Sequence, residues 1–268
     1  MKAIVTIPVY KIRPNDYELL SLRRCLRILK KHPICLFHPE GLDLSAYESE
    51  FQLAKKEFRH ESFASSFFES QRGYNHLMLT SGFYERFRTW DYLLIYQLDA
   101  YVFSDQLEEW CDKGYDYVGA PFLKLDRSID WENAGNGGFS LRRVSSFIRL
   151  FRHTGRLLTA KGLWRFYRYR GPLHRLPLTL RGMCGFKNRL TDYLSDWETQ
   201  NEDLFYAMLA DSAVEWNIPD SRTAMYFSFE GRPSQLYQAG GRLPFGCHAF
   251  LQNEFESFYQ PFIQNEDL

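Results

Sequence analysis

The sequence predicts one α/β domain, in which an open mixed sheet is flanked by helices and carries an inserted basic, aromatic-rich segment. Three observations support this. A β-branched run (Ala3–Val9), an amphipathic stretch (Glu18–Lys31) and a second apolar run (Ile34–Phe37) follow one another at the spacing of a βαβ unit. Shorter strand-like runs of mixed spacing occur later in the chain. The region from Asn133 to Thr191 contains 13 Lys or Arg and no Asp or Glu.

Apolar periodicity predicts the other elements. Tyr74–Phe87 (YNHLMLTSGFYERF) has the spacing of a single amphipathic helix, and Tyr92–Gln97 that of a central strand. Phe51–Arg59 is ambiguous, and the C-terminal third indicates short strands and loops. The remaining predicted elements are a helix over Leu107–Lys113, a strand over Tyr115–Gly119, a glycine-rich turn entering a strand over Asn133–Arg142, a helix over Arg143–Arg152 and the start of a helix over Glu202–Leu209. We expect residues 1–268 to form one domain, with residues 153–195 as its basic inserted segment.

The composition is typical of a folded domain. Hydrophobic residues make up 45% and aromatic residues 17% of the chain, which allows a sizeable core and argues against disorder. The five cysteines are scattered without a CxxC pair, so neither a zinc knuckle nor a disulfide framework is supported, and a reducing compartment is favoured. The sequence has no apolar run of about 18 residues and no signal-peptide pattern, so we expect a cytoplasmic protein.

The charge is distributed unevenly. Formal net charge is zero, but the 13 basic residues between Asn133 and Thr191 leave 20 basic against 33 acidic residues elsewhere. Such a basic segment on an acidic body predicts an anionic partner, which could be lipid headgroups, a diphosphate or nucleic acid.

Asp99 lies in an otherwise apolar stretch, Tyr92–Phe103 (YLLIYQLDAYVF), just past a predicted strand. Ligands of open α/β sheets bind beyond the carboxyl ends of the strands, and carboxylate oxygens suit Mg²⁺ and Mn²⁺. Asp99 is therefore a candidate ligand of a hard metal ion. A turn or capping role is the alternative, since Ser104 and Asp105 follow.

Three further stretches could carry chemistry. The small residues of Asn133–Leu141 (NAGNGGFSL) either let the backbone approach a ligand or form a plain turn, and their setting disfavours a Rossmann dinucleotide site. Glu202 and Asp203 open a predicted helix, where acids either favour the helix dipole or supply a general base. His248 either packs as an ordered residue or binds a metal through a neutral imidazole.

Five stretches in this order resemble those of GT-A glycosyltransferases. YQLDAYVF, YDYVGAPF, GNGGFSLRR, NEDLFYA and PFGCHAF begin at Tyr96, Tyr115, Gly135, Asn201 and Pro244. They most resemble a bacterial glycosyltransferase-like family found in cell-surface polysaccharide clusters, and more distantly the Fringe-type and mucin-type β1,3-glycosyltransferases. The resemblance implies a GT-A-like fold, which is a Rossmann-like, nucleotide-binding open mixed sheet flanked by helices.

The resemblance also implies residue roles. Asp99 matches the last acid of the DxD metal motif, and His248 matches a late metal ligand. Asp203 matches the catalytic base, with Glu202 beside it. Gln97 departs from the pattern, because it stands where the first DxD acid would be and brings no charge. The implied donor-binding residues are Pro8, Val9, Tyr10, Lys11, Tyr74, Asn75, Gln97, Asp99, Asn136, Gly137 and Gly138.

The activity implied is transfer of a hexosyl or N-acetylhexosaminyl group from a nucleotide donor, UDP-linked, to a hydroxyl of a bacterial surface glycan, with inversion. The acceptor would be lipopolysaccharide, capsule or a lipid-linked oligosaccharide, and the cofactor Mn²⁺ or Mg²⁺. Through Arg165, Arg168 and Arg170 the basic segment is expected to rest on an anionic membrane, at the inner face of the plasma membrane. A flap over the cleft or an acceptor-binding lid is the alternative, and nucleic acid is not expected.

Two other functions remain open. A nucleotidyl or phosphoryl transferase could use the same sheet-end metal site, although the sequence has no P-loop and no carboxylate cluster. A non-catalytic nucleotide-sugar-binding module would explain the missing acid at Gln97.

Overall fold

Two sheets contain the strands of the structure, a computed structural model that describes residues 1–168, 170–197 and 201–267. The strands are β1 (Ala3–Pro8), β2 (Ile34–Pro39), β3 (Arg59–Phe63), β4 (Tyr92–Tyr96), β5 (Tyr101–Val102), β6 (Tyr117–Leu123), β7 (Ile129–Arg143), β8 (Ser228–Phe229) and β9 (Gly246–Cys247). The larger sheet has the order β3-β2-β1-β4-β7-β6, and only β7 runs antiparallel to the others. The smaller sheet has the order β5-β9-β8.

Helices cover both faces of the larger sheet. They are α1 (Asp16–Ile28), α2 (Ser45–Leu53), α3 (Gln71–Met78), α4 (Ser81–Arg86), α5 (Leu107–Asp112), α6 (Val144–Phe151), α7 (Ala160–Phe166), α8 (Pro172–Met183), α9 (Leu190–Trp197), α10 (Glu202–Met208), α11 (Ser221–Ala224), α12 (Pro233–Gly240) and α13 (Gln260–Asp267). Short 3₁₀ turns at Ser65–Phe67 and Leu209–Asp211 and a π-helical turn at Phe255–Tyr259 complete the elements. No helix in the described ranges has the length and apolar character needed to cross a bilayer.

The strand β4 supplies side chains to two hydrophobic cores. Leu93 and Ile95 point into the core formed with α4 and α6, whereas Leu94 and Tyr96 point into the core formed with α1 and α5. This alternation follows from the two-residue period of a strand. It explains why the central strand is apolar throughout: both of its faces are covered.

The predicted βαβ unit is confirmed. The strands β1 and β2 pair in parallel, with Val5 opposite Ile34, and α1 forms the connection between them. A capping box starts α1, because the Asn15 side chain accepts from the Glu18 N–H while the Glu18 carboxylate accepts from the Asn15 N–H. This unit and the mixed sheet with helices on both faces confirm the predicted α/β class.

The single helix predicted over Tyr74–Phe87 is wrong, because the chain forms α3 and α4 with a break at Thr80. The Thr80 hydroxyl donates to the Leu77 carbonyl over 2.8 Å, and the Thr80 backbone is extended. Hydroxyl side chains compete with the helical hydrogen-bond pattern in this way. The amphipathic spacing continues across the break, so periodicity alone does not reveal it.

The glycine-rich turn predicted before the GGFSLRR strand is also wrong, because these residues lie within the 15-residue strand β7. The pairing of β6 with β7 shifts register between Val118 and Ala120. A Cβ placed on Gly119 would lie 2.1 Å from the Asn136 carbonyl oxygen. Glycine here permits a close approach of two strands, rather than a reversal of the chain.

The basic inserted segment predicted over residues 153–195 contains α7, α8 and the first part of α9. Helix α7 is held to the rest of the chain by Arg165, whose guanidinium lies 2.5 Å from Asp211 and 3.3 Å from the Asn133 side-chain oxygen. Asp211 belongs to the turn that follows α10, so the segment is attached next to the helix that Glu202 and Asp203 begin.

Candidate active site

Strand pairing in the smaller sheet brings Asp99 and His248 together. The strand β5 pairs with β9, with Tyr101 opposite Cys247, so the residues just before β5 meet the residue just after β9. Asp99 Oδ1 lies 3.1 Å from His248 Nε2. The structure thus places side by side the two residues that the sequence analysis names as metal ligands, at the carboxyl end of β4.

Glu230 holds the other side of the His248 ring. The strand β8 runs parallel to β9, with Phe229 opposite Cys247, so Glu230 and His248 are next in register. His248 Nδ1 lies 3.1 Å from Glu230 Oε2, and Nε2 lies 3.0 Å from Gln97 Oε1. Both ring nitrogens therefore have oxygen partners.

The charges in this cluster perturb one another. Burial lowers the pKa of His248, but the hydrogen bonds from its ring to Asp99 and Glu230 outweigh burial and raise that pKa to about 10. Burial raises the pKa of Asp99, but the hydrogen bond and charge of His248 outweigh it and leave the pKa below its usual value. The imidazole is held as a cation between two carboxylates when no competing cation is present.

Gly138 is required by the position of the imidazole. The N–H of Gln97 donates to the Gly138 carbonyl over 3.0 Å, which extends the pairing of β4 with β7. A Cβ on Gly138 would lie 2.0 Å from His248 Nε2. The ring therefore packs directly on the β7 backbone, and any side chain at this position would displace it.

The acidic pair lies on the other side of the same strand. A Cβ on Gly137 would lie 2.9 Å from Glu202 Oε1 and 3.3 Å from the Cβ of Asp203. The Gly137 N–H donates to Asp203 Oδ2 over 3.3 Å. Since neighbouring residues of a strand face opposite ways, Gly137 and Gly138 separate the two acids from His248 by the thickness of one strand.

Asp203 is buried, and its pKa is raised. It is 6% exposed, and its carboxylate accepts from the N–H groups of Gly137 and Leu204. Burial, followed by the charge of Glu202, raises the pKa of Asp203 to about 7, although the two backbone hydrogen bonds lower it. Within the described residues, Asp203 has no ion-pair partner. A carboxyl group with a pKa near neutrality is suited to proton transfer.

Glu202, by contrast, is committed to Arg142. The Arg142 side chain is fully buried, with Nη2 3.1 Å from Glu202 Oε1 and Nη1 2.9 Å from the Tyr84 hydroxyl. The rings of Tyr117 and Tyr206 lie 5.5 Å from its guanidinium carbon. This buried ion pair occupies the Glu202 carboxylate, whereas Asp203 has no such partner within the described residues.

The predicted donor residues not yet described lie at the end of β1, on β7 and on α3. Pro8 ends β1 and Val9 is buried, whereas Tyr10 is exposed and the Lys11 ammonium is paired with Glu18 over 2.6 Å. Lys11 therefore stabilises the start of α1 in this structure. Asn136 lies in β7 beside Gly137 and is half-buried.

Tyr74 and Asn75 lie on α3, where Asn75 is buried and Tyr74 stacks on Phe37 with ring centroids 6.3 Å apart. The buried Tyr74 hydroxyl forms no hydrogen bond of good geometry among the described residues. Burial and the charge of Glu202 raise its pKa above the usual range, and hydrogen bonding to the Gln97 side chain opposes that shift. Tyr74 therefore lies beside the amide that contacts His248.

The spacing of the polar atoms at Asp99 is compatible with octahedral ligands of a divalent cation, and equally with the hydrogen bonds of a protonated His248. Ions such as Mg²⁺ hold octahedral ligands at about 2.1 Å, so adjacent ligand atoms lie about 3.0 Å apart. The distances from His248 Nε2 to Asp99 Oδ1 and Gln97 Oε1 are 3.1 and 3.0 Å. Over the described ranges no group of three or more His, Cys, Asp or Glu could hold a metal ion, so further ligands would come from substrate oxygens and water.

Glu230 and Arg142 are absent from the predicted site. Glu230 follows a largely apolar stretch, Ala224–Phe229 (AMYFSF), and an acid after such a stretch is the pattern that singled out Asp99. Arg142 lies within the GNGGFSLRR stretch, but nothing local to it indicates complete burial. Both residues act on predicted site residues through contacts between distant parts of the chain.

The comparisons with known proteins agree with the fold. A family model described as "Protein of unknown function (DUF5672)" matches residues 57–248. No curated protein matches the sequence significantly. An active-site mutant of LgtC is similar in structure, with a TM-score of 0.51 and 12% identity over 91% of this chain and 86% of that chain. Mouse xyloside xylosyltransferase 1 is also similar in structure, with a TM-score of 0.51 and 11% identity over 92% of this chain and 97% of that chain.

The Mn/GDP form of core-mannan synthase A from Aspergillus fumigatus gives a TM-score of 0.48 and 9% identity over 83% of this chain and 73% of that chain. The likeness to LgtC and to the mouse enzyme confirms the predicted GT-A-like fold, a mixed α/β sheet flanked by helices.

Proposed function

The chain belongs to the DUF5672 family, and we propose that it is a glycosyltransferase that moves a sugar from a nucleotide donor to an acceptor hydroxyl. One observation carries the proposal. Within a GT-A-like fold, β7 places a buried acid of raised pKa, Asp203, on one side of Gly137 and Gly138, and the Asp99–His248 pair on the other. Asp203 is suited to take the proton of the acceptor hydroxyl, and the Asp99–His248 pair is suited to the donor diphosphate.

The chemistry assigned to Asp203 is general base catalysis. The acceptor oxygen forms a bond to the anomeric carbon, while the bond from that carbon to the diphosphate oxygen breaks. The hydroxyl proton passes to the Asp203 carboxylate, and the electron pair of the broken bond leaves with the nucleoside diphosphate. The product sugar then has the opposite anomeric configuration, because one displacement inverts the centre. A pKa of about 7 lets this group be ionised before the reaction and hold the proton after it.

The residues around Asp99 bind and orient the donor. Asp99, His248 and the Gln97 carbonyl would hold a divalent cation, Mn²⁺ or Mg²⁺, which when bound neutralises charge on the diphosphate leaving group. Glu230 accepts the Nδ1–H of His248 and so directs Nε2 towards the cation. The Tyr74 hydroxyl, buried beside Gln97, would bond to a donor oxygen.

The finer assignments are part of the same proposal. A UDP-linked hexose or N-acetylhexosamine is the donor, and a bacterial surface glycan is the acceptor, as the sequence resemblance implies. The donor would lie across the carboxyl end of β1, near Pro8 to Lys11, with Lys11 released from Glu18. We place the protein in the cytoplasm, at the inner face of the plasma membrane.

A donor screen tests the proposal. Purified protein with Mn²⁺ is mixed with a panel of UDP-, GDP-, ADP-, CMP- and dTDP-linked sugars, and thermal stabilisation, calorimetric affinity and release of free nucleotide are measured. Since a ligand stabilises the state that it binds, one donor class is expected to raise the melting temperature and to be hydrolysed slowly. Absence of both effects for every donor would refute it, and binding without turnover even with glycan acceptors would favour a non-catalytic binding module.

Asp203→Asn separates the two halves of the site. We expect transfer to fall by about 10²–10⁴-fold, as for loss of a general base, with the donor dissociation constant nearly unchanged. Glu202→Gln is the matched control for loss of a neighbouring charge, and it should chiefly lower stability. Loss of donor binding in Asp203→Asn would place Asp203 at the donor instead.

A further inference from the structure

The outer face of α8 is apolar and exposed. Leu173, Leu176, Leu180 and Met183 are 88%, 54%, 53% and 40% exposed. Their spacing of three, four and three residues places them along one side of a helix. Helices of globular proteins normally turn such a stripe towards the core, and a large exposed apolar patch commonly marks an interaction surface.

Packing on α7 fixes this orientation. The opposite side of α8 carries Gly182, which is buried, and Leu178, which is half-buried. A Cβ on Gly182 would lie 2.8 Å from the side chain of Leu163 on α7, so the two helices are in close contact there. The helix cannot rotate to bury its leucines without separating from α7.

Arginine and aromatic side chains border the stripe. The Arg175 guanidinium lies 3.8 Å from the ring centre of Trp164, and that of Arg181 lies 4.0 Å from the ring centre of Phe186. Both rings are partly exposed. Between residues 133 and 191 the chain has no acidic residue. An apolar stripe with a cationic, aromatic border is typical of helices that lie in the headgroup region of a bilayer.

We propose that α8 docks on an anionic lipid bilayer, with Leu173, Leu176, Leu180 and Met183 inserted among the acyl chains and Arg175 and Arg181 at the phosphates. Charge decides between this occupant and a second copy of the chain. Two copies meeting through this face would bring together two sets of the six Lys or Arg residues at positions 168–189, whereas anionic headgroups neutralise them. The proposal does not depend on the transfer reaction.

The docking face differs from the one that the sequence predicts. Of the three arginines expected at the membrane, Arg165 binds Asp211 and Asn133 and holds α7 in place. Arg168 and Arg170 are exposed on the turn between α7 and α8. In this proposal they support electrostatic attraction, while the leucines of α8 supply the apolar contact. Because Asp211 follows α10, the helix α7, on which α8 packs, is joined to the helix that begins with Glu202.

Vesicle sedimentation tests the proposal with the full chain. Vesicles of phosphatidylcholine containing phosphatidylglycerol are compared with vesicles of phosphatidylcholine alone, at low and high salt. The wild type is expected to bind the anionic vesicles at least about tenfold more tightly, with binding weakened by salt. Equal binding to both vesicles, or none to either, would overturn the proposal.

Two sets of variants separate the apolar and charged contributions. Leu173→Gln/Leu176→Gln/Leu180→Gln should bind at least about tenfold more weakly, and Arg175→Gln/Arg181→Gln should lose much of the preference for anionic lipid. Leu53→Gln is the matched control, because Leu53 is 75% exposed on α2, and it should bind as the wild type does. Unchanged binding of the triple variant rejects the docking face.

Light scattering in the absence of lipid examines the competing occupant. The wild type and the triple leucine variant are both expected to be of the same oligomeric state. A wild-type dimer that the three substitutions dissociate would show that α8 covers a second copy of the chain, and would overturn the lipid proposal. Unchanged melting temperatures of the variants establish that they fold.

Discussion

Replacing Asp203 by Asn should make the folded protein more stable at pH 8, although it removes the proposed base. Its pKa is raised from 3.8 to about 7, chiefly by burial. At 1.36 kcal/mol for each pKa unit, the folded state carries a penalty of about 4 kcal/mol for ionised Asp203. Asparagine removes that charge but can accept only one of the N–H groups of Gly137 and Leu204, which costs about 1–2 kcal/mol. The net expectation is about 2–3 kcal/mol of stabilisation.

The pH dependence identifies the cause. Because the folded-state pKa lies above the unfolded value, Asp203 leaves stability undiminished below about pH 4 and lowers it as pH rises to about 7. The advantage of Asp203→Asn should therefore be largest at pH 8 and shrink at pH 5, in urea unfolding followed by circular dichroism. Asp126→Asn is the control, since the pKa of the exposed Asp126 is lowered by its hydrogen bonds to Ser128 and the sign should reverse. A destabilised Asp203→Asn at pH 8, or a gain that is the same at both pH values, would refute the reasoning.

Three other predictions concern the remaining parts of the site. Gly138→Ala should displace His248 and weaken Mn²⁺ binding, measured by paramagnetic resonance titration, while the circular dichroism spectrum stays unchanged. Gly82→Ala is the control, because a Cβ there meets no atom within 4 Å, and it should behave as wild type. Arg142→Met should cost about 3–5 kcal/mol in urea unfolding, because Glu202 is left as an unpaired buried charge; a loss under 1 kcal/mol contradicts this. Mn²⁺ binding at pH 7 should release close to one proton from His248, whose pKa is about 10, measured by calorimetry in buffers of different ionisation enthalpy; no release would exclude His248 as a ligand.

Local signals predicted the opening βαβ unit of the fold well. The strands β1 and β2 and the helix α1 are each marked by apolar spacing. The break at Thr80 and the continuous strand β7 were not predictable in the same way. The first depends on a side-chain hydrogen bond within an amphipathic pattern, and the second on pairing with β6, where glycines indicate close strands rather than a turn.

The sequence named residues that the structure brings together, but it did not indicate their charges. Sequence resemblance named Asp99, His248 and Asp203, and the structure brings the first two within 3.1 Å of each other through β5 and β9. The adjacent positions of Glu202 and Asp203 in the sequence do not show which of the two acids is held in an ion pair. That depends on Arg142, some 60 residues from Glu202. Glu230 was missed because the two-residue strand before it has too few residues to show a period.

The charges of Asp99, Glu230 and Asp203 explain why an amide, and not a second acid, stands at position 97. Two carboxylates, Asp99 and Glu230, already flank the His248 ring, and the charge of Glu230 also contributes to the raised pKa of Asp203 across β7. An acid at position 97, with an oxygen 3.0 Å from His248 Nε2, would add a third negative charge on this side of the strand. Before a cation binds, it would raise the pKa of Asp203 further and favour the protonated form of the proposed base. Gln97 supplies a carbonyl oxygen to the cation site without that cost, so the departure from a two-acid motif is consistent with a base that works near pH 7.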